Sequence, residues 1–471
     1  MAIGLSAVLI PVAVAQTSVT NLDPYITTAT RTPVRAAQLG TAVDVISAAD
    51  IDRRQVSSLA GALDTIPGAP NFASGAMGAA SSLFLRGSNS NQTLFLVDGI
   101  RLNDPNSEYQ VYLGGSCLAS CDSLEVSHGP QSTLYGGEAM GGVIALSAQP
   151  GSGAHSTRVT LEAGSFGTVQ GGVHLQGERD ATAYALSLNG GHTDNDRPHN
   201  AFNSANLVGR IDQRVSERLT VGATLRGFEG RYDSPGDRFT NDPDNLEDES
   251  NWLATAFADF VWSETVAGRV TVGGQSRKFV STNPGNFGTQ ITTVNNRRAV
   301  LDSQVSYTGL TRHRVTMGLT AESNHTKNDG FGDINEKQSL LAIFAQDEIT
   351  LTDTAWMTIG FRSDDHDTFG RANTGRATLA WQVVPDRVKL RTSYGTAFRS
   401  PSFLDLYGQS AYYAGNPDLR PEEARGWDVG ADVYFADQKG SASVSYFDSD
   451  YDDLIIYDFG AFPGTTANVE S

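Results

Sequence analysis

Asp194-Asn195-Asp196 is followed further along the chain by Asp233, Asp237, Asp242, Asp244, Glu247, Asp248 and Glu249. Hard oxygen donors at this density suit Ca²⁺, which takes about 6–8 oxygens. Solvated loop carboxylates account for the same pattern, so both readings stand. Other chemistry is hard to find. No H-E-x-x-H, G-x-S-x-G or Walker-type sequence occurs, and Gly136-Gly137-Glu138-Ala139-Met140-Gly141-Gly142 does not follow the order of a dinucleotide loop. The eight histidines are scattered. These residues point to binding rather than to catalysis: no enzyme activity and no required cofactor are expected, with Ca²⁺ in loops as the one candidate ion.

The elements that position such loops are β-rich. The 471 residues include 49 glycines, and β-branched and aromatic residues recur in short alternating segments, which suits many strands and turns. Mean hydropathy is −0.26, and beyond the first few residues no apolar run reaches the roughly 18 residues that a helical span needs. The 53 acidic residues against 34 basic ones give a formal charge of −19, opposite to what binding a phosphate backbone selects, so nucleic acid is excluded as a partner. The opening MAIGLSAVLIPVAVAQ has an apolar core before Ala13-Val14-Ala15 and reads as the later part of a secretory signal, residues 1–15, with the mature chain starting near Gln16. It lacks a charged first region, which puts the true start upstream or elsewhere. Export places the only two cysteines, Cys117 and Cys121, in an oxidising compartment. A local disulfide is expected there, with a metal pair or free thiols as alternatives.

The chain changes pattern near Pro150. Residues 40–150 mix short apolar runs with helical signals: Asp50 to Val56, then Leu59 and Leu63 at the spacing of one helix face. Leu83 to Gly87 and Leu94 to Gly99 are continuous apolar runs ending at glycine, as strands buried on both faces are. A compact α+β domain is expected. From about residue 157 strict alternation takes over. Leu219, Val221, Ala223 and Leu225 share one face of a strand, with Thr220, Gly222, Thr224 and Arg226 on the other. Val388 to Tyr394 and Trp427 to Phe435 repeat the period, with Asp428 and Asp432 on the inner face. Repeated over this length, apolar-out and polar-in alternation specifies a transmembrane β-barrel with a wet lumen, closed because lipid tolerates no open strand edge. About 16 candidate strands lie between residues 157 and 458, against the roughly 22 of plugged outer-membrane transporters. The barrel, residues 157–471, is therefore expected to be incomplete at its C-terminus and to carry an unclosed seam.

The run from Leu83 through Arg86-Gly87 and Val97-Asp98-Gly99 to Asn103 resembles the plug signature of TonB-dependent receptors. Gly129-Pro130-Gln131-Ser132-Thr133-Leu134-Tyr135-Gly136 and Met140-Gly141-Gly142-Val143-Ile144 are similar to its closing signature. Within that family the spacing is most like the cobalamin-receptor branch, and the barrel half adds Phe398-Arg399-Ser400-Pro401 and Gly415-Asn416-Pro417-Asp418-Leu419-Arg420-Pro421. The resemblance covers residues 23–471. It departs at His128, where the family commonly has Arg and a buried ion pair is expected to weaken, and in the stretch Gly114 to Cys121.

The resemblance implies a membrane β-barrel with an N-terminal α+β plug inside it, residues 40–150, preceded by a periplasmic segment, residues 16–39. Asp23-Pro24-Tyr25-Ile26-Thr27-Thr28-Ala29-Thr30-Arg31 resembles the Ton box, an extended segment that can add to a sheet edge of TonB, with pairing starting at Tyr25 because Pro24 has no amide donor. Arg86 and Arg101 are expected to hold the plug by pairing with Glu125 or with acids on the barrel wall. Asn71, Phe72, Met77, Tyr109 and Tyr112 are nominated as plug tips that meet ligand. In the cobalamin branch similar acidic segments order binding loops around calcium. The matches here are Asp194, Asp196 and Asp233, with Asp237 and Asp242 carried over less securely.

The implied function is active import of a scarce large ligand across the outer membrane, foremost cobalamin or a related corrinoid. A ferric siderophore or haem is the alternative, and a passive porin or adhesin the reading from another class. No haem-binding His pair and no aromatic cluster diagnostic of siderophores is visible. The expected partners are TonB with its inner-membrane energising complex, the small-molecule ligand and outer-membrane lipid, and a monomer is expected.

Overall fold

The computed structural model describes residues 25–56, 58–107, 118–119, 121–237, 239, 241–285, 288–435 and 440–469. The signal segment, Asp23, Pro24, Tyr109, Tyr112 and Cys117 lie outside the described residues.

The first strand, β1 (Tyr25–Ile26), folds back on β2 (Val34–Arg35). A small domain follows: β3 (Val43–Ile46), α1 (Ala48–Arg54), α2 (Leu59–Leu63), β4 (Asn71–Ala73), β5 (Ser81–Leu83), β6 (Thr93–Val97), β7 (Ile100–Arg101), β8 (Asp122–His128), α3 (Ser132–Tyr135) and β9 (Gly142–Ala148). Its sheet runs β3-β8-β9-β6-β7, with β6 and β9 parallel. All five residues of β6 are buried, as its unbroken apolar run implies.

The helical stretch divides in two. Gln55 takes a left-handed conformation (φ 53°) that ends α1, and the Ser58 side chain accepts from the Gly61 amide to start α2. Leu59 and Leu63 both point into the core. The expectation of a buried strand over Leu83 to Gly87 is corrected. Only Leu83 is in a strand, within the ribbon β4-β5, and Arg86 (φ 52°) and Gly87 (φ 81°) form a bend.

Beyond Pro150 a single antiparallel sheet takes over. Its strands are β10 (Ser156–Ala163), β11 (Val169–Arg179), β12 (Thr182–Thr193), β13 (Phe202–Ser216), β14 (Leu219–Gly236), β15 (Asn241–Ser263), β16 (Val266–Gly285) and β17 (Gly288–Tyr307). It continues through β18 (His313–Asn328), β19 (Ile334–Thr352), β20 (Ala355–His366), β21 (Gly370–Val384), β22 (Val388–Arg399), β23 (Glu422–Phe435) and β24 (Gly440–Asp452). A short helix α4 (Phe403–Tyr407) and a hairpin, β25 (Leu454–Asp458) and β26 (Thr465–Val469), stand outside it. Among the described residues the sheet has 15 strands in sequence order, with β10 and β24 as its edges. That is one fewer than the alternation suggested, because β25 pairs with β26 instead of joining the sheet.

The two faces separate as the alternation requires. On β22, Lys389, Arg391 and Ser393 are buried while Leu390 and Tyr394 are exposed. On β23, Asp428 and Asp432 are buried while Trp427, Val429 and Val433 are exposed. An outward apolar band with inward charges is the lipid-facing and lumen-facing arrangement of a membrane barrel. Among the described residues no helix is long and apolar enough to cross a membrane.

The small domain lies against the inner face, its polar groups bonded to β14, β16, β17, β18, β20, β21 and β23. Its own apolar core draws on α1 and α2 and on β3, β6, β8 and β9, and among the described residues Leu253 is the only fully buried wall residue in that cluster. The plug thus has an apolar core of its own and meets the wall through these polar contacts and through smaller apolar clusters, where Ala79 packs on Phe202 and Phe228, Cys121 and Ala148 on Ala185 and Val208, and Met140 on Ala397 and Ala424.

One end of the sheet has two-residue turns, such as Asp180-Ala181, Glu217-Arg218, Glu264-Thr265 and Asp353-Thr354. The other end has longer loops, the longest running from Ser400 to Pro421. Short turns face the periplasm and long loops the exterior in barrels of this kind.

Candidate functional site

The short-turn end holds the segment expected to be the Ton box. From Tyr25 to Arg31 it is not free and extended. Among its described residues only Tyr25 and Ile26 are in a strand, Ile26 is buried, and Thr27 to Arg31 form a turn closed by the Arg31 amide on the Thr27 carbonyl (2.7 Å), with Arg31 at φ 59°. Side chains satisfy its backbone. Glu125 Oε2 accepts from the amides of Thr27 (3.0 Å) and Thr28 (2.9 Å) and from the Thr28 hydroxyl (2.9 Å). Three wall strands then take successive carbonyls: Arg376 on β21 donates to Ala29 (2.7 Å), Gln346 on β19 to Thr30 (3.0 Å) and Gln304 on β17 to Arg31 (2.8 Å). The Arg31 guanidinium pairs with Asp302 on β17, donates to the Leu134 carbonyl (3.1 Å) and rests over the rings of Phe344 and Tyr135. Burial opposes that charge, but Asp302 outweighs it and holds the Arg31 pKa above its usual value. With the amides of Thr27 and Thr28 and the carbonyls of Thr27, Ala29, Thr30 and Arg31 engaged, the segment cannot pair with another sheet edge until it leaves the wall.

At the long-loop end stands the plug apex. Phe72 and Met77 are exposed, and the buried Asn71 Oδ1 has no hydrogen-bond partner among the described residues. Phe72 meets Phe84 edge to face at 5.6 Å. The loop between β12 and β13 reaches down to this apex, where Asn195 Nδ2 donates to the Met77 carbonyl (3.0 Å). Gly78 is required at its position. Its φ is +99°, and a Cβ there would sit 2.3 Å from the Phe202 ring. Asn71 and Phe72 thus lie on β4, and Met77 in the connection from β4 to β5.

Between the ends, the nominated anchors split. Arg86 pairs with Asp428 on β23 (3.3 Å). Arg101 pairs with Glu138 of the plug and lies 3.6 Å from Glu322 on β18; burial opposes its charge, but the two acids raise its pKa. Neither arginine bonds Glu125, which serves the segment above instead. His128 lies 2.7 Å from Asp44, so the position keeps an acidic partner despite losing Arg.

Sequence reasoning missed two buried anchors. Arg226 on β14 reaches both Asp98 (2.6 Å) and Asp122 (2.7 Å) with all three groups buried, and Arg277 on β16 joins plug Asp104 (2.7 Å) to wall Glu249 (2.7 Å). The available signal was an arginine at an inward position of an otherwise apolar-and-small strand. Glu249, which sequence groups with the loop acids, is buried and faces the lumen.

Two family models match the chain: TonB-dependent receptor plug domain over residues 35–143, and TonB dependent receptor-like β-barrel over residues 155–470. The chain belongs to the TonB-dependent receptors. It is 28% identical over 478 aligned positions to the vitamin B12 transporter BtuB of Vibrio vulnificus, covering 97% of this chain and 75% of that one. Among solved structures it is similar in fold to the siderophore receptor PirA of Pseudomonas aeruginosa (18% identity, TM-score 0.72, 91% of this chain and 79% of that one). It is likewise similar to P. aeruginosa FpvA bound to a pyoverdine (17% identity, TM-score 0.77, 94% and 68%). The family is one of receptors and transporters, and with the barrel fold it implies the outer membrane. The orientation of this family puts the plug apex on the outer side and the segment at the short-turn end on the periplasmic side.

The loop acids of this receptor do not converge. Asp194 Oδ1 faces His192 Nε2 (3.2 Å), and Asp196 Oδ1 accepts from Asn200 (3.3 Å). Asp237 Oδ1 accepts from the Phe239 amide (2.7 Å), and Asp242 Oδ1 from the amides of Asp244 (3.2 Å) and Asn245 (3.1 Å). Asp233 is spaced along β14, where it pairs in register with Leu246. Among the described residues no three His, Cys, Asp or Glu side chains gather as a metal would need. The residues as placed do not fit the ring of oxygens that Ca²⁺ takes.

Cys121 carries a buried free thiol, and burial and then Asp122 push its pKa up to about 12. Its expected disulfide partner lies outside the described residues.

A cluster of rings invisible in the linear sequence forms on the outer side. Tyr413 stacks on Tyr457 (6.0 Å), Tyr457 meets Phe459 (4.6 Å), and Tyr412 meets Phe462 (6.5 Å). Tyr412, Phe459 and Phe462 are exposed. The β22–β23 loop and the β25–β26 hairpin contribute them jointly, which is why neither segment announced it.

Proposed function

We propose that this receptor imports cobalamin or a related corrinoid, drawing on TonB for energy. The observation that supports transport over a passive pore is the two-ended plug: a ligand-facing tip at Asn71, Phe72 and Met77, and at the opposite end a Ton box whose hydrogen-bonding groups are held by Glu125 and three wall side chains. An open pore needs neither. Ligand settles on the tip and the outer loops, the Ton box leaves the wall, TonB pairs with its freed backbone, and pulling remodels the plug until ligand passes. Every step is binding and mechanical work.

The corrinoid assignment is supported by the 28% identity to a vitamin B12 transporter along almost the whole chain. A ferric siderophore is the second reading, supported by the exposed rings of Tyr412, Phe459 and Phe462 at the mouth, which suit flat aromatic chelators. Equilibrium binding of cyanocobalamin, ferric enterobactin and haem to the full-length protein decides between them. Cyanocobalamin is expected to bind tightest. Tighter binding of either iron compound would overturn the corrinoid reading while leaving TonB-dependent transport intact.

A further inference from the structure

The outer loops pose a physical problem that the acid-rich sequence creates and the carboxylates do not solve. The β12–β13 loop carries Asp194 and Asp196, and the β14–β15 tip carries Asp233, Asp237 and Asp242. Like charges at this density drive two loops apart unless a cation joins them. Yet the two loops are in contact, and the joining charge belongs to the chain itself.

Arg197, in the middle of the β12–β13 loop, reaches the β14–β15 tip. Its Nη2 lies within hydrogen-bond distance of the carbonyls of Pro235 (3.1 Å) and Asp237 (2.9 Å) and of Asn241 Oδ1 (2.9 Å), and its Nη1 donates to the Gly236 carbonyl (3.4 Å). Four neutral oxygens thus converge on one guanidinium. A planar fork with five N–H donors can serve such a ring, which a lysine ammonium matches less well. His199 adds a second tie between the loops, its Nε2 3.0 Å from the Asn245 carbonyl. Meanwhile Asp237 and Asp242 spend an oxygen each on amides of their own tip, and Asp196 spends one on Asn200 of its own loop.

We infer that Arg197 is the cross-brace of the outer loops and stands where a divalent cation was expected, so that their order does not depend on calcium. It is a positioning residue for the ligand-facing tip. Two residues before it, Asn195 donates to the Met77 carbonyl (3.0 Å) and to the Asn200 carbonyl (2.7 Å), so the braced loop is also clipped to the plug apex. Orientation set at Arg197 therefore reaches Met77 through a loop already stapled at both ends. The inference goes beyond the proposed transport function and holds whichever ligand the receptor takes.

Hydrogen exchange on the full-length protein tests it, read in segments 194–201 and 233–245, with calcium at about 1 mM, the weak end of extracellular calcium modules, and with chelator. Wild-type exchange is expected to be the same in both. Arg197→Ala is expected to speed exchange in both segments by about ten-fold, local opening being what exchange reports, with no restoration by calcium and no change around the Ton box. Arg197→Lys, which keeps the charge without the fork, recovers part of the protection. Slower wild-type exchange in calcium overturns the inference, as does an alanine variant with wild-type exchange or one that calcium restores. Should the alanine variant not assemble, the wild-type calcium comparison decides alone.

Discussion

Replacing Glu125 by Ala removes the acceptor of three hydrogen bonds that hold the Ton box, from the amides of Thr27 and Thr28 and the Thr28 hydroxyl, at 2.9–3.0 Å. A hydrogen bond to a charged group contributes about 1.5–3 kcal/mol. Three bonds to one oxygen share its capacity, and the site is partly open to water, so the sum is nearer about 3 kcal/mol than three times the single value. The Thr30 and Arg31 carbonyls keep their wall donors, so the docked state weakens without vanishing. A partner that binds only the undocked state has its affinity reduced by the fraction undocked. A loss of about 3 kcal/mol raises that small fraction, and the apparent affinity, by about two powers of ten. The assay is binding of the TonB periplasmic domain to the ligand-free full-length receptor. Glu125→Ala should bind about a hundred-fold more tightly than wild type and lose most of its dependence on ligand. Glu125→Gln, which keeps one acceptor oxygen without the charge, should fall between. Ligand-free affinity equal to wild type in both variants would refute the reasoning, since Glu125 would then carry none of the docking free energy.

Ile26→Pro removes an amide and bends the strand TonB must pair with; ligand binding should persist and uptake should fall to background in a transport assay. Phe72→Ala at the exposed apex should leave the melting temperature within the range of an ordinary surface change, about 0.5 kcal/mol, while weakening ligand binding by about ten-fold in equilibrium titration. Arg226→Ala strips the shared partner from buried Asp98 and Asp122 and should destabilise the assembled plug by about 3–5 kcal/mol, read as a lowered unfolding midpoint.

The barrel was legible because alternation is a two-residue signal: once Leu390 and Tyr394 face lipid, Lys389, Arg391 and Ser393 must face the lumen, and they do. The tip at Asn71, Phe72 and Met77 could be nominated because polar and aromatic residues in a glycine-rich turn have no core to join. What stayed hidden depends on partners far apart in sequence. Arg226 meets Asp98 and Asp122, and Gln304, Gln346 and Arg376 meet the Ton box, only because the sheet curls around the plug. The directions of the loop acids were hidden for a related reason. A count of carboxylates says nothing about direction, and several of these turn back on their own loops while an arginine bridges the gap. The bend at Arg86-Gly87 escaped because two left-handed residues interrupt an apolar run that reads as a strand.

The order of strands also says where pulling must act. The Ton box leads through β2 into β3, and β3 is an edge of the plug sheet, paired with β8 alone over Val43 to Ile46. An edge strand is held by one ladder, so tension on the N-terminus draws β3 from β8 before it disturbs β6 or β9, which have neighbours on both sides. The apolar core of the plug then loses Ile46 first and most of its members last. Plug–wall hydrogen bonds that break where water can enter are replaced by bonds to water, whereas newly exposed apolar core is not compensated. Joining Val43 to Ser127, which face each other across that ladder, tests this directly. Directly opposed residues on antiparallel strands have Cβ atoms about 4.5–5.5 Å apart, close enough for a disulfide after small adjustment. In the oxidised double variant Val43→Cys, Ser127→Cys, ligand should bind as in wild type, TonB should still bind once ligand is present, and uptake should stop; reductant should restore it. Uptake at the wild-type rate with the bridge intact would mean that the plug leaves the wall as one body and that β3 is not where the force is spent.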